Sequence, residues 1–301
     1  MAEDLSRRRA GLMLGVGAYL FWGVMPLYFK AIAEVAPTEI VAHRIVWSLV
    51  FLAALATLWR KWPAIRAAAS TPKVLATLVV TALLIGINWL LFIYAIVSRH
   101  VLEASLGYYL NPLVNVLLGV VLLKERLSAA QIIATGLAAA GVAVLAAGAG
   151  SGLWISLTLA ASFALYGFVR KVAPVDSVEG LAIETALLAP VALGWLIWLR
   201  QTGELGMGRF GTDVDILLAL GGAVTAIPLL MFTAAARRLP YSMLGFLQYI
   251  APSLQFLLAV LAFGEPLTTP HLVCFAAIWT ALAIFTLDGW RSAARARAAR
   301  A

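Results

Sequence analysis

The chain has 301 residues, of which 63% are hydrophobic and only 12% are charged. Soluble domains contain about 45–50% apolar and about 25% charged residues, so this composition excludes a soluble protein and predicts an integral membrane protein. The formal net charge is +8. The basic residues lie in short runs between apolar stretches, which is typical of membrane topology and not of nucleic-acid binding.

Ten apolar stretches are long enough to cross a bilayer as helices, which takes about 20 residues. In chain order they are residues 10–33, 38–59, 73–98, 101–123, 127–148, 152–171, 177–199, 213–237, 240–263 and 269–288. The first is too long for a signal peptide and is predicted to be retained. Residues 201–212 are polar and glycine-rich, and are predicted to form the longest outer loop.

Lysine and arginine residues are concentrated on alternate connections, which predicts that those connections are cytoplasmic. The N-terminal run Arg7–Arg9, the segment 60–73 and the C-terminal residues 291–300 all fall on that side. Only Arg99, Arg200 and Arg209 fall on the other side. Both termini are therefore predicted to face the cytoplasm.

The sequence also repeats itself at an offset of 140 residues. LGYYLNPLVNVLLGVVLLKERLS (106–128) matches GFLQYIAPSLQFLLAVLAFGEPLT (245–268), which aligns Pro112 with Pro252. The boundary falls near Gly150, after five helices, so the second half enters the membrane from the opposite side. We therefore predict an all-α membrane protein with two inverted five-helix repeats, residues 1–150 and 151–301, a common construction of secondary transporters.

Six segments carry a more specific pattern. They are AYLFWGVMPLYFK (18–30), PTEIVAHRIVWS (37–48), INWLLFIYA (87–95), LEASLGYYLNPLV (102–114), SFALYGFVRK (162–171) and LGFLQYIAPSLQF (244–256). Together they resemble the RarD subfamily of the EamA family, in the drug/metabolite transporter superfamily. The resemblance implies a ten-helix, multi-pass permease of the bacterial inner membrane. It also implies a central cavity between helices 1–4 and 6–9, with helices 5 and 10 at the periphery, and a link to chloramphenicol resistance or sensitivity.

Arg44 is a candidate functional residue because a charge inside a spanning helix costs about 2.5–3.5 kcal/mol on insertion scales. Its counterpart in the second repeat is Glu184. Inversion puts the two at different depths, so they are not expected to pair directly. Arg44 is expected either to pair with Glu103 or Glu39 or to bind a substrate carboxylate.

Glu184 has two interpretations of the same kind. It is expected either to pair with Arg170 or Lys171, or to serve as a gate or proton site. His43 is a possible proton carrier, although a lone histidine in a helix is more often structural. Lys30 either extends its charged end to the membrane surface or forms a basic rim of the cavity.

Aromatic and amide side chains are more numerous in the helices than lipid anchoring requires. Trp22 lies near the predicted midplane, too deep for an interfacial belt, and its indole N–H needs a polar partner. A wet cavity supplies such partners; helix packing is the alternative for each residue. The predicted cavity set is Trp22, Tyr28, Lys30, His43, Arg44, Trp47, Asn88, Trp89, Glu103, Tyr108, Asn111, Tyr166, Glu184, Gln248 and Tyr249.

Prolines inside the helices are candidate hinges because proline frees a carbonyl and bends a helix. Gly23, Pro26, Pro112 and Pro252 are predicted to have this role. Glu125 and its repeat counterpart Glu265 are predicted to cap the helix that follows each of them.

These patterns predict a secondary active or facilitative transporter that exports small organic metabolites, amino-acid-like or anionic, by alternating access. Its drive is either the proton gradient or simple facilitation. The alternative is a promiscuous drug-efflux permease. ATP-driven transport and metalloenzyme chemistry are poorly supported because Walker A, GxSxG and HExxH motifs are absent. A membrane-embedded enzyme or lipid-handling protein would need a reactive set of residues at one membrane face, and the sequence shows none. No cofactor and no metal is predicted; the partners are a small-molecule substrate and membrane lipid, with the oligomeric state open.

Overall fold

The computed structural model describes residues 2–98, 100–147, 152–262, 264 and 269–298, and every regular element within these residues is a helix. The helices are α1 (Ala2–Ala31), α2 (Pro37–Leu58), α3 (Trp62–Ala69), α4 (Pro72–Val97), α5 (Val101–Val121), α6 (Ala129–Ala146), α7 (Leu153–Val172), α8 (Ser177–Thr202), α9 (Thr212–Ala236), α10 (Tyr241–Gln248), α11 (Ile250–Leu261) and α12 (Thr269–Ala298). Among the described residues, ten stretches are long and apolar enough to span a membrane. The predicted multi-pass helical fold is therefore confirmed.

The ninth predicted span is divided into α10 and α11 at Tyr249. Pro252 lies three residues further on and has no backbone N–H, so it cannot bond the carbonyl of Gln248. Tyr249 instead closes a tighter turn, with its N–H donating to the Phe246 carbonyl at 3.2 Å. The other two candidate hinge prolines, Pro26 and Pro112, lie inside unbroken helices.

Helix α3 was not predicted. It occupies eight residues of the connection between α2 and α4, and buries only Ile65. Proline in its first turn favours helix initiation, and the Trp62 indole donates to the Thr57 hydroxyl at 2.9 Å. This hydrogen bond ties the start of α3 to the end of α2, and α3 is a short surface helix.

The bundle has two main hydrophobic cores. The main core joins α1, α2, α4 and α7–α10, and a second core joins α5, α6, α10, α11 and α12. Helices α6 and α12 pack mainly against each other, and 28% and 22% of their spans are buried, against 50% for α5 and α7–α9. The α1 span is also 28% buried, but α1 packs against α9 and α11 of the main bundle. Helices α6 and α12 are thus the peripheral pair, as the resemblance implied.

Helix contacts recur in pairs at the 140-residue offset. Helix α1 packs against α9 and α11, and the corresponding α7 packs against α4 and α5. This reciprocity agrees with two repeats, although the predicted boundary at Gly150 lies outside the described residues and stays a prediction.

Small residues bring helices of the two halves into close contact. A side chain at Gly222 of α9 would overlap the backbone of Trp47 in α2, and the Ser48 hydroxyl donates to the Gly222 carbonyl at 3.0 Å. Gly23 has a similar place, since a Cβ there would lie 2.6 Å from Leu254 Cδ1 of α11. Close backbone approach of this kind is typical of helix packing in membranes.

Cysteine labelling tests the predicted inversion. Ser70 and Phe210 are exposed, and they lie at equivalent positions of the two repeats. In a Cys274→Ala background, Ser70→Cys should react with an impermeant maleimide only from the cytoplasm and Phe210→Cys only from outside, because inverted repeats put equivalent loops on opposite sides. Labelling of both positions from the same side would rule out the inversion.

Candidate functional site

A cavity of about 410 Å³ lies among α1, α2, α4, α5, α7, α9, α10 and α11. It extends to the end of the bundle at which α1 and α4 finish and α5 begins, where Phe29, Ile96 and the exposed Val101 line it. Its aromatic lining consists of Tyr19, Trp22, Phe29, Trp89, Phe92, Tyr108 and Phe163. Its polar lining consists of Arg44, Asn88, Ser105, Asn111, Thr225, Gln248 and Gln255.

Arg44 supplies the charge in the lining. Its Nε donates to the Thr225 hydroxyl at 2.7 Å, and its guanidinium carbon lies 5.5 Å from the centre of the Phe29 ring and 5.6 Å from that of Trp89. The ion pairs found among the described residues all involve other side chains. Arg44 is therefore a cation held by a hydroxyl and two aromatic faces.

The predicted pairing of Arg44 with Glu39 or Glu103 is wrong. Residues five apart on a helix face different directions, whereas residues four apart share a face. Glu39 accordingly lies 3.4 Å from His43, and its carboxylate accepts the N–H groups of Gly206 and Met207. It anchors the loop between α8 and α9.

Amide side chains connect the helices at the inner part of the cavity. Asn88 donates to the Leu159 carbonyl and the Ser162 hydroxyl, both at 2.9 Å, and Asn111 donates to the Ala160 carbonyl at 2.8 Å. These bonds tie α4 and α5 to α7 and fix the orientation of both amides.

Asn115 completes this set and was not predicted. It is fully buried, and its side-chain nitrogen donates to Gln248 Oε1 at 2.7 Å. Its position one helical turn after Asn111 was the available signal, because residues four apart share a helix face. Thr225 and Gln255 were also missed; single polar residues in apolar helices were the only indication of either.

An aromatic layer closes the inner end of the cavity. Trp22 lies 5.7 Å, between ring centres, from both Phe163 and Phe232. Tyr166 stacks on Phe232 at 6.4 Å, and both rings are fully buried. The layer separates the cavity from the opposite end of the bundle.

Behind this layer lies a buried polar cluster around Glu184. The Arg170 Nε lies 3.5 Å from Glu184 Oε1, the Tyr166 hydroxyl donates to Oε2 at 3.3 Å, and the Thr81 hydroxyl donates to Oε1. The predicted pair of Glu184 with Arg170 is confirmed. Lys171 instead donates to the Ala236 and Leu239 carbonyls.

Further polar contacts close this end of the bundle. Lys61 pairs with Glu179 at 2.9 Å, and this hydrogen bond and charge raise the pKa of Lys61. Arg237 pairs with Asp176 at 3.2 Å. Together they link the end of α2 and the end of α9 to the start of α8.

The prediction that Glu125 caps the helix that follows it, α6, is wrong. Its carboxylate accepts the N–H groups of Tyr241 and Ser242, at 2.5 and 2.9 Å, and so caps α10 and not the next helix, α6. Helix α6 is capped by Ser128 with Gln131 in a capping box. Capping satisfies the free N–H groups of a helix start, here across the two halves. Glu265 lies outside the described residues.

Comparison with known proteins agrees with this architecture. The model of the EamA-like transporter family matches residues 9–147. An uncharacterized transporter of Vibrio cholerae is 47% identical over 100% of this chain and 99% of its own length. The protein RarD of Escherichia coli is 46% identical over 95% of this chain and 96% of its own. The chain belongs to the RarD subfamily of the EamA-like transporter family.

Two further relatives extend the comparison. A Pseudomonas aeruginosa member of the RarD subfamily, named chloramphenicol-sensitive protein RarD, is 36% identical over 94% of this chain and 94% of its own length. A crystal structure at 24% sequence identity covers 94% of this chain and 98% of its own, with a TM-score of 0.71. This likeness supports the EamA fold. The chain is thus a membrane transporter.

Of the predicted cavity set in this RarD-subfamily chain, the lining includes Trp22, Arg44, Asn88, Trp89, Tyr108, Asn111 and Gln248. It does not include Tyr28, Lys30, His43, Trp47, Glu103, Tyr166, Glu184 or Tyr249. Tyr28 instead donates to the Leu217 carbonyl at 3.1 Å, and Tyr249 is buried in the second core. A contact of these eight residues with substrate stays a prediction.

Two glycines of α8 test the tight packing of Arg170. A side chain at Gly180 would overlap the Arg170 guanidinium, which is fully buried, whereas a Cβ at Gly194 would meet no neighbouring helix or side chain of the described residues within 4 Å. Gly180→Ala should lower the free energy of unfolding by about 1–3 kcal/mol, as overpacking does. Gly194→Ala should not lower it.

Thermal unfolding in detergent, followed by tryptophan fluorescence, measures both variants. Equal stability of the two variants would show that Arg170 can move away and is not held tightly.

Proposed function

We propose that this protein is a secondary active or facilitative transporter that exports small organic metabolites, amino-acid-like or anionic, across the bacterial inner membrane by alternating access. The observation that carries the proposal is the cation of Arg44, exposed to the cavity without a carboxylate partner among the described residues. The Vibrio cholerae relative is named an uncharacterized transporter, and we propose no catalytic activity.

An organic anion fits this environment for electrostatic reasons. A buried charge is costly unless it is paired, and an arginine guanidinium presents two parallel N–H groups that match a carboxylate. Within the described part of the chain, only Nε of Arg44 donates a hydrogen bond. The guanidinium is fixed at one edge and keeps donors for a ligand.

The size and lining fit a small molecule with an apolar part. A volume of about 410 Å³ lies within the range of about 300–1,000 Å³ found for small-molecule sites. The faces of Trp22, Trp89 and Phe163 provide apolar contact, while Asn88 and Gln248 provide amide groups. The ligand class is therefore a compact anion with an apolar or aromatic portion.

The unequal ends of the bundle support the proposal of alternating access. The cavity reaches one end, and the aromatic layer and the Glu184 cluster close the other. The charge pattern predicts that the closed end is cytoplasmic, and we propose on this basis that the conformation is outward-open. Transport requires the Lys61–Glu179 and Arg170–Glu184 contacts to separate while the outer mouth closes.

Drug efflux is the second candidate. The aromatic lining can hold neutral ring compounds without specific polar partners, which favours promiscuity. The relative named chloramphenicol-sensitive protein RarD makes chloramphenicol the natural probe for this alternative.

A matched pair of probes tests the role of Arg44. N-acetylphenylalanine is an anion, and N-acetylphenylalaninamide is its neutral analogue of nearly the same shape. In proteoliposomes, Arg44→Ala should lower transport of the anion about ten- to hundredfold, because a hydrogen bond to a charged group contributes about 1.5–3 kcal/mol. Transport of the amide and of chloramphenicol should change little.

The controls separate binding from folding. Arg44→Lys keeps the charge but not the planar fork, and should retain part of the anion transport. Thr225→Val removes the hydroxyl that holds Nε, and should weaken anion transport less than Arg44→Ala does. Equal losses for the anion and the amide in folded Arg44→Ala protein would contradict the anion site and favour drug efflux.

A further inference from the structure

The pair of Arg170 and Glu184 lies behind the aromatic layer, away from the cavity. Arg170 is 0% exposed and Glu184 is 1% exposed. The pair joins α7 to α8, and Thr81 adds α4 through its hydroxyl. Because desolvation offsets much of the attraction in a buried ion pair, such a pair stabilises one conformation weakly and loses that role when either charge is neutralised.

The hydrogen bonds of Arg170 are incomplete. Its Nη2 donates to the carbonyls of Asp176 and Ser177 at 3.3 Å, but Nε and Nη1 have no hydrogen-bond partner among the described residues. Nε faces Glu184 at 3.5 Å, so their interaction is mainly between charges. The burial of Arg170 therefore depends on the negative charge of Glu184.

We propose that Glu184 is the proton-binding site that controls opening of the cytoplasmic end. The proposal rests on the proposed transport function and adds its coupling ion. Ionised Glu184 holds α4, α7 and α8 together. Transfer of a proton from water to the carboxylate removes the negative charge and leaves the buried Arg170 cation uncompensated, so the helices separate and water reaches Arg170.

Other charged groups near α8 are occupied or exposed. On the elements packed against α8, Lys61 pairs with Glu179, and Arg237 pairs with Asp176. Glu39 accepts backbone N–H groups of residues 206–207 beside His43, Arg44 donates to Thr225, and Asp215 accepts from Gly208. The remaining charged residues, Arg66, Lys73 and Asp213, are exposed. On α7, Tyr166 and Arg170 face Glu184, and Lys171 bonds backbone carbonyls. Arg170 is therefore the charge whose burial follows the ionisation of Glu184.

A small void adjoins the cavity beside α8. It has a volume of about 10 Å³, and its lining is mostly apolar, with Ser48, Thr185 and Thr225 as its hydroxyl residues. Thr185 follows Glu184 in α8, while Thr225 also lines the main cavity. The proposal includes proton entry from this side of α8.

Proton entry from the cavity side sets the direction of coupling in this proposal. A proton taken up from the outer side releases the cytoplasmic end, and its loss to the cytoplasm allows the ion pair to form again. In each cycle one proton moves inward and substrate moves outward. Glu184 needs to bind only the proton for this exchange.

Accessibility of a buried cysteine tests the proposal without any substrate. Leu78 is fully buried, one turn from Thr81 on the cytoplasmic side of α4. In detergent-solubilised Cys274→Ala protein, we expect N-ethylmaleimide to label Leu78→Cys about tenfold faster at about pH 5 than at about pH 8, since one pH unit of coupling corresponds to a factor of ten. Rates are divided by those of exposed Ser70→Cys, which corrects for thiol ionisation.

Two variants test whether Glu184 causes the pH dependence of labelling. Glu184→Gln should label rapidly at both pH values. Glu179→Gln, which breaks the other ion pair of α8, should keep the pH dependence of the parent protein. An unchanged pH dependence in Glu184→Gln, or no pH dependence in the parent, would overturn the proposal.

Two features keep the test decisive. If Glu184→Gln cannot be purified, Glu184→Asp replaces it: a shifted midpoint supports the proposal, and an unchanged midpoint overturns it. Because no substrate is present, failure of the anion site at Arg44 would leave the labelling result unchanged, and failure of the proton site would leave anion selectivity unchanged.

Discussion

Buried charge is the constraint on which this structure depends. Lipid offers no partner to an ionisable side chain, so each one inside the bundle must be satisfied by protein, by water or by ligand. The Glu39 carboxylate accepts backbone N–H groups, Glu184 forms an ion pair with Arg170, and the Glu125 carboxylate accepts N–H groups at the start of α10. Arg44 contacts a hydroxyl and two rings, and among the residues that the structure describes it is the charged one that lines the cavity. The distribution of partners thus distinguishes charges that hold the bundle from the charge that we propose recognises a ligand.

The polar contacts also differ between the two ends of the molecule. At the end predicted to be cytoplasmic, the Lys61–Glu179 pair and the cap of α10 by Glu125 join the two halves. The Arg170–Glu184 and Arg237–Asp176 pairs at the same end join elements within the second half. At the other end the cavity reaches the surface beside Phe29 and Val101. Each contact at the closed end is a discrete interaction that can be made or broken, as the proposed alternating-access cycle requires. The aromatic layer of Trp22, Phe163 and Phe232 lies between the two ends and connects the ligand site to the Glu184 cluster through Tyr166.

Sequence reasoning predicted the spans well because apolar length is a strong and local signal. From depth alone it gave Arg170 or Lys171 as the partner of Glu184, and the structure shows that the partner is Arg170. It failed where the direction of a side chain decides the partner: Glu39 is near Arg44 in sequence but lies on another face of α2. It failed again for Glu125, whose partners Tyr241 and Ser242 lie more than one hundred residues away. Thr225 and Asn115 could not be singled out because one polar residue in an apolar helix does not show what it faces. The break at Tyr249 was expected near Pro252, but its exact position depends on the local hydrogen bonds.

The most direct test of the account is an unbiased export measurement. Proteoliposomes loaded with a bacterial metabolite extract and chloramphenicol are incubated with and without an acidic exterior, and mass spectrometry identifies what leaves. The account predicts that the compounds lost are enriched in small organic anions, and that Arg44→Ala protein, folded as judged by its thermal unfolding, fails to release them. Loss of neutral compounds alone, or an identical profile from the Arg44→Ala protein, would contradict it.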